Sequence, residues 1–406
     1  MFLRPLLEKN PAFVEATVAL HQSGAIPTNS YVIDLDALAA NTQLLMHQAA
    51  THNLTVYAMT KQLGRAPVAL DAITGAGVDG YVAVDMACAR PIANNGHHVG
   101  HLGHLVQVPA AEAVEAANMA PAYWTVFSPN KASEAAIAAV QAGRVQDLLV
   151  RVFAEGDEFY NGHEGGVALE DLAAMIRHID GLTGARFCGL TTFPALLYDA
   201  LGGGGSGSTR ITPNMATLAR AANIARKHLP SEQPLQINAP GTTSTTVLSQ
   251  LAEAGATQVE PGHGLTGTTP LHAVGGLPEQ PAVCYVSEVA HIHQGTPFCF
   301  GGGLYIDPVF GDYPVTAVVA HDPSEITAKP VDVDMPSPAA IDYYAKLHPH
   351  PQRTIAEGAS VVFGFRIQAF VTRAFVVGLA GLRSGDAYVA GISDVLGNPV
   401  AWQGGR

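Results

Sequence analysis

Short apolar segments rich in β-branched residues alternate with alanine-rich helical segments along the first two thirds of the chain. A strand followed by a helix, repeated at this spacing, indicates βαβ units and a parallel sheet. Nine segments have strand character: Tyr31–Leu35, Leu54–Thr60, Val78–Val84, His101–Val108, Tyr123–Phe127, Asp147–Phe153, Arg186–Thr192, Leu235–Asn238 and Thr257–Glu260. This alternation limits the fold to a few parallel-sheet architectures.

Eight of these segments fit a (β/α)8 barrel, which needs eight strands and about 250 residues. The predicted barrel runs from Leu54 to about Pro270, and Tyr31–Leu35 lies outside it. A doubly wound sheet is the weaker alternative, because no G-x-G-x-x-G turn follows the first strand. The predicted fold class is therefore α/β, a TIM-type barrel joined to a C-terminal domain that is mostly β.

The chain changes character after Leu271, where Val, Tyr, Phe and Gly become frequent and one helix is predicted at 338–347. The strand Tyr31–Leu35 is expected to join this later part. The glycine-rich stretch Gly202–Ser208 is interpreted as either a flexible loop or a disordered spacer after the sixth barrel strand. The predicted organisation is a helical segment at 1–30, a barrel at 31–275 and a β domain at 276–406.

The charge balance excludes some classes of partner. The chain has 34 acidic and 21 basic residues, a formal net charge of −13, which opposes binding to a phosphate backbone. The apolar stretch Ser360–Leu382 contains Arg366 and Arg373, so buried strands are predicted there instead of a membrane span. No signal-peptide core and no C-x-x-C pair is recognised. We expect a cytoplasmic protein with no nucleic-acid or membrane partner.

Lys61 stands apart from the other lysines, which have ordinary surface placements. It ends the apolar strand that opens the predicted barrel, and the carboxyl ends of such strands form the active-site face. A lysine that is partly removed from water has a lowered pKa and can form a Schiff base with a carbonyl. The alternative is a rim lysine paired with a carboxylate. Position alone leaves both interpretations open.

Two small-residue loops follow the seventh and eighth predicted barrel strands, where barrels of this kind commonly bind phosphate. The first is 238–246 (NAPGTTSTT) and the second is 260–269 (EPGHGLTGTT). Glycine and hydroxyl residues at such turns present N–H and O–H donors to an anion. A lysine at the first strand and a phosphate loop at the last two describe a site for pyridoxal 5′-phosphate.

With these residues in view, the chain resembles the fold-type III pyridoxal-phosphate enzymes, the alanine racemase group, and within it the YhfX-like branch of amino-acid racemases. The resemblance covers most of the chain. It rests on these stretches: YVIDLDALAAN (31–41), VYAMTKQLGR (56–65), GHLVQVP (103–109), GLTTFPALL (189–197), NAPGTTS (238–244), EPGHGLTGTTP (260–270), FGGGLY (300–305) and FRIQAFVTR (365–373).

The resemblance implies the site as well as the fold. Lys61 becomes the Schiff-base lysine. In alanine racemases an Arg on the seventh strand meets the pyridine nitrogen; here Gln236 or Asn238 is left for that position. His104 is a candidate for lining the cofactor, although it could equally be a satisfied histidine among its His neighbours. The residues implied for the loops that hold the cofactor are Gly241, Thr242, Thr243, Gly262, His263 and Gly264.

The resemblance further implies racemisation of an amino acid in a homodimer, with Lys61 moving a proton on one face of Cα. Alanine racemases take the second base from a Tyr of the partner subunit; the matching position here is Phe300, which cannot transfer a proton. Cys299 is the preferred substitute, with Tyr305 and His104 as alternatives. A small buried hydrophobe is the alternative interpretation of Cys299.

The missing tyrosine leaves other functions open. A lyase or decarboxylase that uses the same cofactor needs no second base, and a non-catalytic cofactor-handling protein needs only Lys61 and the phosphate loops. Some related lyases bind a metal in the β domain. His291 and His293 have suitable spacing for this, but no clear third ligand accompanies them, so no metal is predicted.

Overall fold

The structure is a computed structural model that describes residues 1–200, 207–305, 313–337, 339–349 and 353–405. Residues 202–206 of the glycine-rich stretch, and residue 338 at the start of the predicted C-terminal helix, lie outside these ranges. Among the described residues no helix combines the length and the apolar character needed to cross a membrane.

The helices and strands are numbered along the chain. The helices are α1 (Leu3–Lys9), α2 (Pro11–Gln22), α3 (Leu35–Thr51), α4 (Pro67–Gly75), α5 (Met86–Asn94), α6 (Ala113–Asn118), α7 (Pro129–Gln141), α8 (Leu172–Asp180), α9 (Pro213–Ala225), α10 (Leu248–Glu253) and α11 (Pro270–Val274). The strands are β1 (Ser30–Asp34), β2 (Thr55–Met59), β3 (Gly80–Ala83), β4 (Val99–Leu102), β5 (Tyr123–Val126), β6 (Gln146–Phe153), β7 (Val167–Ala168), β8 (Ala185–Thr191), β9 (Leu196–Asp199), β10 (Ser208–Ile211), β11 (Gln236–Asn238), β12 (Gln258–Val259), β13 (Val283–His293), β14 (Thr296–Phe300), β15 (Val315–Ala320), β16 (Val331–Asp334), β17 (Tyr344–His348), β18 (Ser360–Phe363), β19 (Phe375–Ala380) and β20 (Tyr388–Asp394).

The chain divides into two compact units, and one of them, 43–60 with 77–262, contains the barrel. Its eight parallel strands run in the order β5, β4, β3, β2, β12, β11, β8 and β6, and pairing of β5 with β6 closes the ring. Helices α5, α7, α8 and α9 pack against these strands. The predicted TIM-type barrel is therefore confirmed.

Local signals explain where some elements begin and end. Helix α7 starts as predicted, because the Ser128 side chain accepts a hydrogen bond from the Lys131 amide (3.3 Å) and Pro129 occupies the first turn. The predicted strand His101–Val108 is instead β4, which ends at Leu102. Gly103 follows with φ +75°, a left-handed conformation that ends an extended strand.

The second unit, 1–42 with 61–76 and 263–406, contains a nine-stranded sheet. Its order is β14, β17, β16, β15, β18, β13, β1, β19 and β20, and β14 also pairs with β13. Strand β1 pairs antiparallel with β13 and parallel with β19. The strand Tyr31–Leu35 thus lies in the C-terminal sheet, while the predicted limits of the three segments stay a prediction.

The sheet is buried on both faces near β1. On one face, Val32 packs in a cluster with Phe13 and Val18 of α2. On the other face, Tyr31 and Tyr285 form an aromatic pair with ring centroids 5.2 Å apart. Because neighbouring residues of a strand point to opposite faces, both sets must be apolar, which explains the continuous apolar runs in the sequence.

The prediction of a helix at 338–347 is wrong. The described part of this stretch enters β17, which lies between β14 and β16. Ala345 and Leu347 are buried whereas Tyr344 and Lys346 are exposed, so the side chains follow the two-residue period of a strand. The prediction of buried strands within Ser360–Leu382 is confirmed by β18 and β19.

Candidate active site

Lys61 follows β2 and opens a 3-10 turn, Lys61–Leu63, so it lies two positions beyond the strand that was predicted to carry it. Its side chain is half-buried. Within the same unit, burial together with the positive charges of Arg366 and Lys61 holds the pKa of His263 well below its ordinary value. The turn therefore has electropositive surroundings that suit an anionic group.

His263, predicted to contact the cofactor, has partners of its own for both ring nitrogens. Nδ1 lies 3.0 Å from Thr268 Oγ1, and Nε2 accepts a hydrogen bond from Gln368 Nε2 at 3.3 Å. Its low pKa keeps the ring neutral at neutral pH. The structure therefore shows His263 tying its glycine-rich loop to the 365–371 segment, and a cofactor contact stays a prediction.

The first predicted phosphate loop has internal bonds that explain part of its composition. A Cβ at Gly241 would lie 2.7 Å from the Leu196 carbonyl oxygen, so this position needs glycine. The amides of Thr242 and Thr243 donate to Leu196 O (3.3 Å) and Gly241 O (2.9 Å). Binding of phosphate would have to use the threonine hydroxyls and neighbouring amides. In the second loop, Gly262 and Gly264 are buried.

A network of buried polar side chains lies inside the barrel around Glu260, which directly follows β12. Glu260 Oε1 accepts hydrogen bonds from His101 Nδ1 and from Asn238 Nδ2, the latter at 2.8 Å. His101 Nε2 lies 2.5 Å from Thr125 Oγ1, and the Thr191 hydroxyl donates to Asn238 Oδ1 at 2.7 Å. These contacts fix the carboxylate in one orientation.

Electrostatics keeps Glu260 ionised. Burial alone would raise the pKa of this carboxyl, but the attraction of His104 and His101 and the hydrogen bonds from His101 and Asn238 outweigh it and hold the pKa below its ordinary value. His104 Nε2 lies 3.6 Å from the second oxygen, Oε2. The His104 ring also packs edge-on against Phe193, with centroids 5.5 Å apart.

Sequence reasoning missed Glu260 as a site residue, and it missed Arg151 of β6. The Arg151 guanidinium is 1% exposed and donates to the carbonyl oxygens of His163 (2.6 Å) and Phe193 (3.4 Å). Burial lowers its pKa to about 10, so it remains charged at neutral pH. Among the described residues none accepts a hydrogen bond from Nε or Nη1. The sequence signal that could have identified Glu260 and Arg151 was a charged residue near the end of a predicted barrel strand.

Gln236 is placed away from this network, although it lies on the same strand as Asn238. It begins β11, and its oxygen accepts hydrogen bonds from Gln258 Nε2 (3.0 Å) and the Thr257 hydroxyl (3.2 Å). The carboxyl ends of the strands form the active-site face of a barrel. Gln236 therefore lies at the opposite end of its strand from that face, whereas Asn238 lies at it.

Cys299 is the fourth of the five residues of β14 and is fully buried within its own chain. Burial raises the pKa of its thiol to about 12, so the thiol is protonated at neutral pH. A partner subunit cannot expose a side chain that its own chain already buries. The structure gives no support to Cys299 as the second base, and the small buried hydrophobe is the better description.

All four cysteines are free, and none exposes more than 6% of its surface. We expect Ellman's reagent to react slowly with the native protein and to modify four thiols per chain once the chain is unfolded. Fast modification of a single native thiol, mapped to Cys299 by mass spectrometry, would contradict the burial described here.

Comparison with known proteins identifies the family. Residues 33–270 match the alanine racemase N-terminal domain, and residues 284–389 match the YhfX-like C-terminal domain. The chain is a YhfX-like member of the alanine racemase family. Uncharacterized protein YhfX of Escherichia coli (strain K12) is 37% identical to it over 406 residues, which are 98% of this chain and 99% of that relative.

Two solved structures have the same fold. D-threonine aldolase from Filomicrobium marinum has a TM-score of 0.63 and 16% identity, covering 92% of this chain and 95% of its own. An alanine racemase of Clostridium difficile 630 has a TM-score of 0.63 and 13% identity, covering 91% and 99%. At these identities the likeness concerns the fold alone.

Members of the alanine racemase family bind pyridoxal 5′-phosphate, which confirms the predicted cofactor. The residues of the barrel fit such a ligand. Arg151 has two buried nitrogens, Nε and Nη1, without an acceptor, and Glu260 has one buried oxygen without a hydrogen-bond donor, within the described residues. Buried groups of this kind are costly unless a ligand or water satisfies them, so the barrel interior is suited to a ligand that carries both donors and acceptors.

Proposed function

We propose that the protein is a pyridoxal-phosphate-dependent amino-acid racemase that works through Lys61. The placement of this lysine carries the proposal. Four of the six lysines are exposed, and the half-buried Lys131 pairs with Glu134 at 2.6 Å. Lys61 is half-buried and lies two positions after the first barrel strand, which is where the alanine racemase family is expected to hold its cofactor.

When bound, the cofactor supplies an electron-withdrawing ring that makes the Cα proton of an amino acid acidic. The Lys61 amine would hold the cofactor and, when free, would remove or return the proton on one face of Cα. In the barrel unit, Arg151 Nε and Nη1 would donate to an anionic group of a bound ligand. Because Arg151 and Glu260 are removed from water, their interactions with a ligand are strengthened.

Racemisation also needs a base on the other face of Cα. With Cys299 unsuited, Tyr305 and His104 stay as candidates: Tyr305 is half-buried in the segment after β14, and His104 lies in the barrel network. A lyase is the second candidate function, since it needs no opposed base. The equal TM-scores of the aldolase and the racemase support keeping it.

The experiment that separates these functions is exchange in deuterated water, using the holoenzyme and a panel of L- and D-amino acids. Deuterium at Cα together with the mirror-image amino acid supports racemisation. A carbonyl product or a shorter amino acid supports a lyase. Cofactor uptake without exchange or product from any amino acid would contradict both and favour a cofactor-handling protein.

We also propose a homodimer, because in alanine racemases a tyrosine of the partner subunit completes the site. Sedimentation equilibrium of the holoenzyme at assay concentration is expected to give twice the chain mass of 42.2 kDa. A monomer that retains full activity would refute this prediction.

A further inference from the structure

The two oxygens of the Glu260 carboxylate differ in their hydrogen bonds. His104 Nε2 faces Oε2 at 3.6 Å, which is beyond hydrogen-bond distance. Oε1 accepts the two hydrogen bonds from His101 and Asn238, whereas no donor among the described residues hydrogen-bonds to Oε2. The side chain is 3% exposed, so bulk water does not satisfy Oε2. A buried ionised oxygen without a hydrogen bond loses much of its solvation, and this loss is compensated when a ligand donates to it.

The chemistry of this oxygen selects the kind of ligand group. An ionised carboxylate oxygen accepts most strongly from a positively charged N–H. Arg151, the buried cation of the same barrel, is instead suited to an anion. Pyridoxal 5′-phosphate carries its negative charges on the phosphate and the ring oxygen, and its pyridine nitrogen is the basic atom that can carry a proton.

A metal ion is the competing occupant, because ligand atoms of His101, His104 and Glu260 lie within 4.8 Å of one another. However, both ring nitrogens of His101 are engaged, Nδ1 with Glu260 and Nε2 with Thr125. The contact of His101 with Glu260 is a direct hydrogen bond, and two ligands of one metal ion do not bond to each other in this way. The geometry therefore favours an N–H donor over a metal.

We propose that Glu260 accepts a hydrogen bond from the protonated pyridine nitrogen of the bound cofactor. This inference rests on the cofactor binding in the proposed function. It replaces the expectation that Gln236 or Asn238 fills this position: Asn238 positions the carboxylate by donating to it, and Gln236 lies at the other end of its strand. A carboxylate partner keeps the nitrogen protonated, which makes the ring a stronger acceptor for electrons from Cα.

The test is nitrogen NMR of holoenzyme reconstituted with cofactor labelled with ¹⁵N in the ring. Free cofactor at acid and at alkaline pH supplies the two reference shifts. In the wild type we expect the protonated shift throughout pH 6–9. In Glu260→Gln we expect movement toward the unprotonated shift and cofactor binding that is about 10- to 100-fold weaker, the effect of losing a charge-assisted hydrogen bond.

Glu279→Gln is the matched control, since Glu279 is also a buried carboxylate beside a histidine, His272 at 3.3 Å, but belongs to the other unit. Its ¹⁵N shift should equal that of the wild type. An unprotonated ¹⁵N shift in the wild type overturns the inference even if Glu260→Gln fails to fold. The inference is also overturned if the wild type and Glu279→Gln bind stoichiometric zinc and Glu260→Gln does not. A wild type that takes up no cofactor refutes the proposed function itself.

Discussion

Lys61→Ala is expected to lower turnover by at least about 10³-fold and to remove the visible absorbance band of the lysine-bound cofactor. The variant loses both the amine that holds the cofactor and the base that moves the Cα proton. Lys61 is half-buried and alanine is compatible with the 3-10 turn that it opens, so truncation to alanine should leave the fold intact. Absorbance spectra and the deuterium-exchange assay measure the two effects on the same sample.

Lys131→Ala serves as the control for this substitution. Lys131 is likewise half-buried, and its Nζ donates to Val108 O at 2.9 Å and pairs with Glu134. Its removal should change neither the spectrum nor the rate by more than about twofold, as expected for a partly exposed ion pair. Full exchange activity in Lys61→Ala, or equal losses in both variants, would contradict a special role for Lys61.

His101→Ala is expected to destabilise the barrel by about 3–5 kcal/mol, because it leaves the buried Glu260 carboxylate without its principal donor. The measurement is urea unfolding of the cofactor-free protein, which avoids the contribution of ligand binding. The double variant His101→Ala with Glu260→Gln removes the buried charge as well. We expect it to recover part of the loss, and additive effects would show that the two residues are not coupled.

The destabilisation caused by His101→Ala is expected to depend on pH in one direction. The network lowers the pKa of Glu260 in the folded state, so its stabilising effect is fully present above the ordinary Glu pKa of about 4.3 and decreases as the pH falls below that value. The difference in unfolding free energy between wild type and His101→Ala should therefore be constant near neutrality and shrink in acid. A difference that grows on acidification would contradict an ionised Glu260.

The fold was accessible from the sequence because its signals are local. Strand and helix patterns of about ten residues predicted the eight-stranded barrel, and the Ser128 cap predicted the start of α7. Where short patterns compete, prediction was wrong: a positive φ at Gly103 ended β4 early, and the period of β17 is visible only once its neighbouring strands are known.

The site was less accessible because its contacts are distant along the chain. His101 and Glu260 are 159 positions apart, and the sequence around Glu260 does not indicate that His101 hydrogen-bonds to it. Arg151 was missed for the same reason, since its hydrogen bonds go to the carbonyl oxygens of the distant residues Phe193 and His163. The resemblance supplied Lys61 and the loops, but it directed attention to Cys299, whose burial depends on β13 and β17 packing on either side.

The position of β1 has a consequence for how the chain is made. Tyr31 pairs with Tyr285 and Val376, so β1 leaves the ribosome long before either of its partner strands has been made. At about 5–20 residues per second, the delay until both partners exist is roughly 15–70 s. During that time β1, whose central residues Tyr31–Ile33 are apolar, has at least one unpaired edge, which favours contact with other nascent chains. Shielding by α1 and α2, or by chaperones, is thus most needed early in translation.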